Sequence, residues 1–311
     1  MNDRIYLIDG YDLGVAERTG IYVIGEKDLT IVETGPSPSV KHVKKGLEAL
    51  GFSLDQVKYI IVTHIHLDHA GGAGLLLEEC PNAKVVVHRK GARHLADPSR
   101  LIAGAKAVYG EKFSVLFDPI RSIPENRLLI KGEGDILKIG STCALEFSDT
   151  PGHANHHLSI YDPVSKGIFT GDTVGIRYEQ LIDKEINLFL PSTSPNQFNP
   201  NTMKKQIDRM LEMDLNYIYY GHFGMTEKPK DALQQVADWL PVFMAEGEAV
   251  FAEQKGHEEL ARRLLERVKE YLRKQGIQDE HSVYFLIELD MQVSAMGIID
   301  YLLKQVPELN N

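Results

Sequence analysis

Residues 59–69 read Tyr-Ile-Ile-Val-Thr-His-Ile-His-Leu-Asp-His, an apolar run that ends in a dense group of metal-binding side chains. We predict a strand at Tyr59–Val62 and a loop over Thr63–Gly72, which carries four candidate ligands: His64, His66, Asp68 and His69. Alternate residues of an extended chain point the same way, so His64 and His66 face one centre. A strand end holds such a loop rigidly, and imidazole nitrogens with a carboxylate suit zinc, iron and similar ions. The stretch therefore predicts a metal site.

Three more candidate ligands follow short apolar runs farther along the chain. They are His153 after Cys143–Phe147, Asp172 after Ile168–Thr170 and His222 after Ile218–Tyr220. A glycine directly precedes each of them, and glycine lets the backbone bend sharply toward a shared centre. Each is a weak signal alone, but with the first cluster they indicate one metal centre.

The order His-x-His-x-Asp-His, Gly-His, Gly-Asp, Gly-His resembles the metallo-β-lactamase superfamily, over residues 1 to about 225. This resemblance implies that His64, His66 and His153 bind one metal ion, that Asp68, His69 and His222 bind another, and that Asp172 bridges the two. The segment Val32-Glu33-Thr34-Gly35 resembles the early Asp-Thr-Gly turn of the family, with Glu33 in place of the usual Asp. The expected cofactors are two divalent ions, zinc above all, with iron or manganese as alternatives.

The chemistry of such a centre suits hydrolysis. Two cations about 3.5–4 Å apart share a water, bring its pKa near 7 and polarise the oxygen under attack. The candidate catalytic residues are Asp68, which orients the attacking water, and Asp172, which bridges the ions. Two other histidines, His156 and His157, lie close to His153. Their default interpretation is a strand-capping or exposed imidazole, and the alternative is that one of them contacts substrate or supports a ligand.

Alternating apolar strands and helices over the first 230 residues predict an α+β fold, an αββα sandwich of two facing sheets with helices outside. We assign residues 1–230 to this catalytic domain and residues 231–311 to a helical appendage. The appendage is predicted to contain three helices: Asp231–Gln254, kinked at Pro241, then His257–Gln275 and Glu280–Gln305.

Within the family, the sequence favours a hydrolase of small ester-like bonds, thioester or lactone. The short interval from Asp172 to His222 leaves no room for the cap domain of the nucleases, and a net charge of −10 disfavours nucleic acid. Lactonases of the family place a Tyr soon after the bridging Asp; Tyr178 comes later than that. An iron-dependent persulfide dioxygenase or a diiron oxygen-binding protein on the same fold stays open, as does a ligand sensor that works through its helical tail.

The remaining expectations concern location and partners. Residues 1–10 lack the apolar core of a signal peptide and no apolar run reaches the roughly 18 residues of a membrane span, so we expect a cytoplasmic protein that does not bind membranes. Cys80 and Cys143 are predicted to be buried thiols. The partner is a small-molecule substrate, and the apolar C-terminal helices predict a homodimer.

Overall fold

The computed structural model describes residues 4–306, which divide into two compact units. The sheet unit comprises residues 4–150, 156–171 and 214–228, and the helical unit comprises residues 151–155, 172–213 and 229–306. The helical unit thus joins two earlier segments to the C-terminal helices; the domain boundary predicted after residue 230 stays a prediction. Residues 1–3 and 307–311, which belong to the predicted N-terminal segment and helical appendage, lie outside the described residues.

The sheet unit contains six helices and two six-stranded sheets. In chain order, its first six strands are β1 Ile5–Asp9, β2 Gly20–Ile24, β3 Leu29–Val32, β4 Val57–Ile61, β5 Lys84–His88 and β6 Leu128–Lys131. They form one sheet in that order, antiparallel from β1 to β3 and parallel from β3 to β6. Parallel neighbours need crossover connections, supplied by the helices α1 Val40–Ala49, α2 Leu67–Ala70, α3 Ala73–Glu79, α4 Arg89–Ala96, α5 Ser99–Tyr109 and α6 Phe113–Phe117.

The later strands of the chain are β7 Ile136–Lys138, β8 Ala144–Asp149, β9 Leu158–Asp162, β10 Gly167–Gly171, β11 Ile176–Arg177, β12 Phe189–Leu190, β13 Tyr217–Tyr220 and β14 Met225–Thr226. The second sheet has the order β14-β13-β10-β9-β8-β7, and only β10 and β13 run parallel in it. The strands β11 and β12 pair with each other in the helical unit.

Alternation along the strands divides the core of the sheet unit into two layers. In β2, Tyr22 and Ile24 pack in one cluster with Phe147 and Phe169 of the second sheet. The intervening residues, Ile21 and Val23, join a cluster with α1 and α3. A sheet covered on both faces needs apolar residues at consecutive positions, which is why its strands show apolar runs rather than alternation.

Four helices dominate the helical unit: α7 Pro200–Leu211, α8 Pro229–Ala252, α9 His257–Arg273 and α10 Val283–Gln305. In α9 the predicted apolar face is confirmed, since Leu260, Leu264, Val268 and Leu272 are all buried. Trp239 of α8 lies edge to face with Tyr271 of α9, the ring centroids 5.5 Å apart. None of the helices between residues 4 and 306 combines the length and hydropathy that a bilayer span requires.

The structure corrects the sequence-based elements at three places. The predicted loop Thr63–Gly72 contains the short helix α2, whose single turn leaves no apolar period to detect. The segment 113–126, for which the sequence predicts no element, begins with the short helix α6. Helix α7 was not predicted, although Asn199 and Pro200 form a recognisable start: the Asn199 side chain accepts from the Thr202 amide.

Candidate metal centre

The densest group of candidate ligands lies where β4 leads into α2. His66 has an extended backbone at the N-terminus of α2, and the His64 and His66 rings approach to 4.6 Å between centroids. His64 is fully buried, and its Nδ1 is 3.0 Å from the hydroxyl oxygen of Thr63. This contact fixes the His64 ring so that Nε2 faces away from Thr63. The structure therefore brings the His64 and His66 rings next to each other in the sheet unit.

Glu33 connects the end of β3 to the ligand segment. Its carboxylate accepts the Thr63 amide through Oε1 at 3.2 Å, and its Oε2 lies 3.5 Å from Nδ1 of His69. The neighbouring Thr34 hydroxyl donates to the His69 carbonyl at 2.8 Å. Glu33 has φ 70° and is buried, so the fold holds it in a left-handed conformation that few residues of its type adopt. Glu33 therefore contacts both the backbone of the ligand segment and the His69 ring.

Asp68, His69 and His222 form a three-residue group inside the sheet unit. One ligand atom from each lies within 4.8 Å of the other two. Oδ2 of Asp68 is 3.5 Å from Nε2 of His69 and 3.6 Å from Nε2 of His222. Gly221 permits this approach, because a Cβ there would sit 2.7 Å from Cε1 of His69. Two imidazoles and a carboxylate at this spacing match the donors that zinc and similar ions accept.

His156 and His157 contact the ligand segment from the turn that precedes β9. Nδ1 of His156 accepts the Ile65 amide at 3.4 Å. The His157 ring stacks on His64 with centroids 4.9 Å apart, and its Nδ1 contacts the Thr150 hydroxyl. Both rings are buried. They pack behind the ligands, where they set the position of the 64–66 backbone and of the His64 ring.

The helical unit brings the other two candidate ligands together. Nε2 of His153 is 3.7 Å from Oδ2 of Asp172, and both side chains are buried. The turn before His153 requires glycine, since Gly152 has φ 136° and a Cβ there would meet Met203 Cα of α7 at 2.5 Å. The predicted ligands thus fall into two sets, five in the sheet unit and two in the helical unit.

Two serines that the sequence analysis did not select contact His153 and Asp172. Nδ1 of His153 donates to the Ser192 carbonyl at 3.0 Å, and the Ser192 hydroxyl donates to Oδ2 of Asp172 at 3.0 Å. The Ser194 hydroxyl lies 3.3 Å from Nε2 of His153. Both serines belong to the stretch between Pro191 and Pro200, and serine in a loop carries no signal of this kind by itself.

A further carboxyl group, that of Asp12, interacts electrostatically with Asp68 and His222. Asp12 is buried, and burial raises the pKa of its carboxyl. Arg18, 3.5 Å away, lowers that pKa, while the charge of Asp68 raises it and that of His222 lowers it.

The remaining predicted side chains have structural partners. The Tyr178 hydroxyl donates to Asp290 of α10 at 2.9 Å, and both residues are buried in the helical unit. Cys80 and Cys143 are free and buried, as predicted, and burial raises the pKa of each thiol to about 12. A thiol with so high a pKa is a poor nucleophile at neutral pH.

Comparisons with known proteins extend these observations. The family model described as the metallo-beta-lactamase superfamily matches residues 17–222. A metallo-beta-lactamase fold-containing protein of Sulfurisphaera tokodaii is 26% identical over 211 residues, which are 66% of this chain and 72% of that protein. The crystal structure of an archaeal superfamily protein from Sulfolobus tokodaii aligns with a TM-score of 0.67 at 22% identity, over 95% of this chain and 98% of that one.

Two relatives with named activities match shorter parts. A hydroxyacylglutathione hydrolase of Polaromonas sp. is 28% identical over 120 residues, 38% of this chain and 34% of that enzyme. An N-acyl homoserine lactonase of Rhizobium radiobacter is 27% identical over 150 residues, 47% of this chain and 52% of that enzyme. The chain therefore spans about a third and about half of these two enzymes.

The structural likeness confirms the predicted α+β fold, an αββα sandwich followed by C-terminal helices. The family match begins before β2, includes every predicted ligand and ends at His222. On this evidence the chain belongs to the metallo-β-lactamase superfamily.

Proposed function

We propose that this protein is a dinuclear metal-dependent hydrolase that cleaves a small thioester or lactone. The observation that carries the proposal is the group of Asp68, His69 and His222, whose ligand atoms lie within 4.8 Å of one another. The chain also belongs to a superfamily known for metal-dependent hydrolysis. The alternative redox functions share the fold, and imidazole and carboxylate donors accept iron as well as zinc, so metal content and oxygen uptake are what separate those functions from hydrolysis.

Chain connectivity supports one centre made from both donor sets. His153 is three residues from Thr150 and three from His156, both in the sheet unit. Three residues span at most about 11 Å, so the chain itself limits how far His153 can lie from Thr150 and from His156. Asp172 directly follows Gly171 of β10, where a Cβ would sit 2.7 Å from Nε2 of His157. We therefore assign His64, His66 and His153 to one ion, Asp68, His69 and His222 to the second, and Asp172 to both.

When bound, the two ions would lower the pKa of a shared water toward neutrality and polarise the carbonyl oxygen of the substrate. The chain's own groups prepare this chemistry. Nδ1 of His153 must carry the proton, because its partner is a carbonyl oxygen, and this directs Nε2 toward the ion. Glu33 does the same for His69 by facing its Nδ1.

Asp68 is the residue best placed to act on the attacking water. Its side chain is 27% exposed, whereas the side chains of His69 and His222 are at most 5% exposed. Its carboxylate can therefore accept a proton from a solvent molecule while the buried imidazoles hold their positions. Asp172, 4% exposed at its side chain, is too enclosed for that role and acts as a bridge.

The substrate class rests on the relatives and on charge. One partial relative is named for acylglutathione hydrolysis, which is cleavage of a thioester, and another for lactone hydrolysis. The net charge of −10 works against binding a polyanion. A small acyl substrate satisfies both observations, so the expected partner is a small molecule and not nucleic acid.

Elemental analysis of the purified protein, together with a substrate panel, tests the proposal. We expect two metal ions per chain, hydrolysis of a thioester or lactone, and loss of that activity on treatment with a chelator. The panel also contains phosphodiesters, RNA, DNA and persulfides. Cleavage of nucleic acid without any ester cleavage, or persulfide oxidation with oxygen uptake on a single iron, would overturn it.

We also propose the predicted homodimer, supported by apolar side chains that α10 exposes, Phe285 at 57% and Leu303 at 58%. Light scattering at several concentrations tests it: a mass of twice 34.9 kDa is expected, and a constant monomer mass would refute it.

A further inference from the structure

Helix α10 lies outside the residues that match the family, which end at 222, yet it contacts the segment that holds two of the proposed ligands. This segment, residues 191–197, follows β12 and carries Ser192 and Ser194. Through them it contacts His153 and Asp172, as described above. What fixes the segment therefore fixes the two ligands.

The first anchor is the buried middle of the segment. Thr193 is fully buried, and its hydroxyl donates to the Ser294 carbonyl of α10 at 2.9 Å. A helix carbonyl that accepts a second hydrogen bond from a threonine gives a directional link between the segment and the helix. Thr193 lies between Ser192 and Ser194, so this hydrogen bond to α10 holds the part of the segment that contacts the ligands.

The second anchor is a close approach of backbones. Gly297 lies one turn after Ser294 on α10, and a Cβ at Gly297 would overlap the Thr193 carbonyl oxygen and lie 2.6 Å from the Ser194 carbonyl carbon. Any other residue at position 297 would displace the segment. The absence of a side chain here is what permits the Thr193–Ser294 contact.

The third anchor holds the end of the segment. Asn196 has φ 79°, a left-handed conformation that asparagine tolerates better than most residues. Asp300 of α10 accepts its amide at 3.2 Å, and Lys304 of α10 donates to its carbonyl at 2.9 Å. Asp300 and Lys304 also pair with each other, so both polar groups of the Asn196 backbone are held by one ion pair.

We propose that α10 is a positioning element of the metal centre: it holds residues 191–197, whose Ser192 and Ser194 orient His153 and Asp172. Thr193 and Gly297 are the positioning residues. This inference rests on the proposed dinuclear site. It adds that α10, a helix beyond the residues that match the family, sets the affinity for the metal ions that His153 and Asp172 bind.

The test measures the affinity of each metal ion by competition with a chelator, beside the thermal midpoint of the protein. Thr193→Val removes the hydroxyl at nearly constant volume, and we expect the weaker of the two ions to bind about fivefold less tightly, the equivalent of one hydrogen bond. Thr193→Ser restores the donor and should restore the affinity. Ser192→Ala, which removes the donor to Asp172, should weaken binding about tenfold.

Trp239→Leu is the matched control. It removes the ring contact with Tyr271 between α8 and α9, and neither residue belongs to α10 or to residues 191–197, so it should lower the thermal midpoint without changing either affinity. A wild-type affinity in Thr193→Val would overturn the positioning role, and so would an equal loss in Trp239→Leu. If Thr193→Val does not fold, Asp300→Asn, which weakens the hold of α10 on the Asn196 amide, takes its place with the same two outcomes. A wild-type protein that binds no more than one ion would instead overturn the proposed function.

Discussion

The two sets of ligands are built on different kinds of support. In the sheet unit, His64, His69 and His222 follow the ends of β4 and β13, and Glu33 at the end of β3 braces them. In the helical unit, His153 and Asp172 sit in turns and take their orientation from the serines of residues 191–197. Strand ends give a local and rigid support, whereas the second set depends on residues more than a hundred positions away, in α10.

This difference shows where affinity can be adjusted. A strand end is part of the core, and changing it threatens the fold. A segment held by a few hydrogen bonds to a helix can change its position with little effect on the sheets. If the proposed positioning role holds, changes in residues 191–197 or in α10 should alter metal affinity with little effect on the sheets.

The largest loss of activity is expected for the residue proposed to bind both ions, Asp172. Asp172→Asn removes the charge proposed to bridge the ions, and we expect kcat/KM on the best ester substrate to fall about a thousandfold, since metal stabilisation is worth several kcal/mol. Steady-state kinetics and metal content are measured together. A variant with two ions and full activity would show that the helical set is not part of the centre.

A substitution of Glu33, which contacts Thr63 and His69 in the sheet unit, should have a smaller effect on the metal centre. Glu33→Gln keeps an acceptor for the Thr63 amide but removes the charge that faces Nδ1 of His69. We expect metal affinity to fall about 10- to 100-fold, as for other outer partners of ligating histidines. Chelator competition gives the value. An unchanged affinity would mean that the carboxylate serves only the backbone of Thr63.

Two glycine substitutions in the sheet unit test how closely the backbone after β13 packs against His69, through the free energy of unfolding. Gly221→Ala places a methyl group 2.7 Å from His69 Cε1, and we expect a loss of about 1–3 kcal/mol in the free energy of unfolding. Gly104→Ala in α5 meets no atom within 4 Å and should raise it by about 0.5–1 kcal/mol. Urea denaturation measures both. Equal effects would contradict the idea that β13 closely approaches His69.

The smallest effect concerns pH. Burial lowers the pKa of His88, whose ring caps α4 and faces Asp149 at 3.4 Å; the Asp149 charge opposes the shift. The unfolded chain thus takes up a proton at this site near pH 6.5 while the folded chain does not, so stability should fall as pH drops below 6.5. His88→Asn keeps a side-chain cap and should show a weaker dependence. An identical pH dependence of the urea midpoint would exclude His88 as a cause.

Much of the fold could be predicted because its signals are local. The apolar runs that became β2, β4 and β10 are fully or mostly buried, and the four clustered ligands stand at one strand end. The sequence could not reveal Ser192 or Thr193, because their importance comes from α10, which approaches them only in the folded chain. It could not reveal α2 either, since one helical turn is too short for a period. Glu33 was selected from its turn, and its contacts with Thr63 and His69 became clear only from the structure.

The pairing of Trp239 with Tyr271 gives this protein a built-in optical probe. Trp239 is the only tryptophan of the chain, and it lies between α8 and α9 of the helical unit. Its fluorescence therefore reports on that unit alone, while far-ultraviolet circular dichroism reports on all helices and sheets. If the helical unit loosens before the sheets, the emission of Trp239 will shift at a lower urea concentration than the dichroism signal, and the cooperativity of the two units can be read directly from the gap between the two curves.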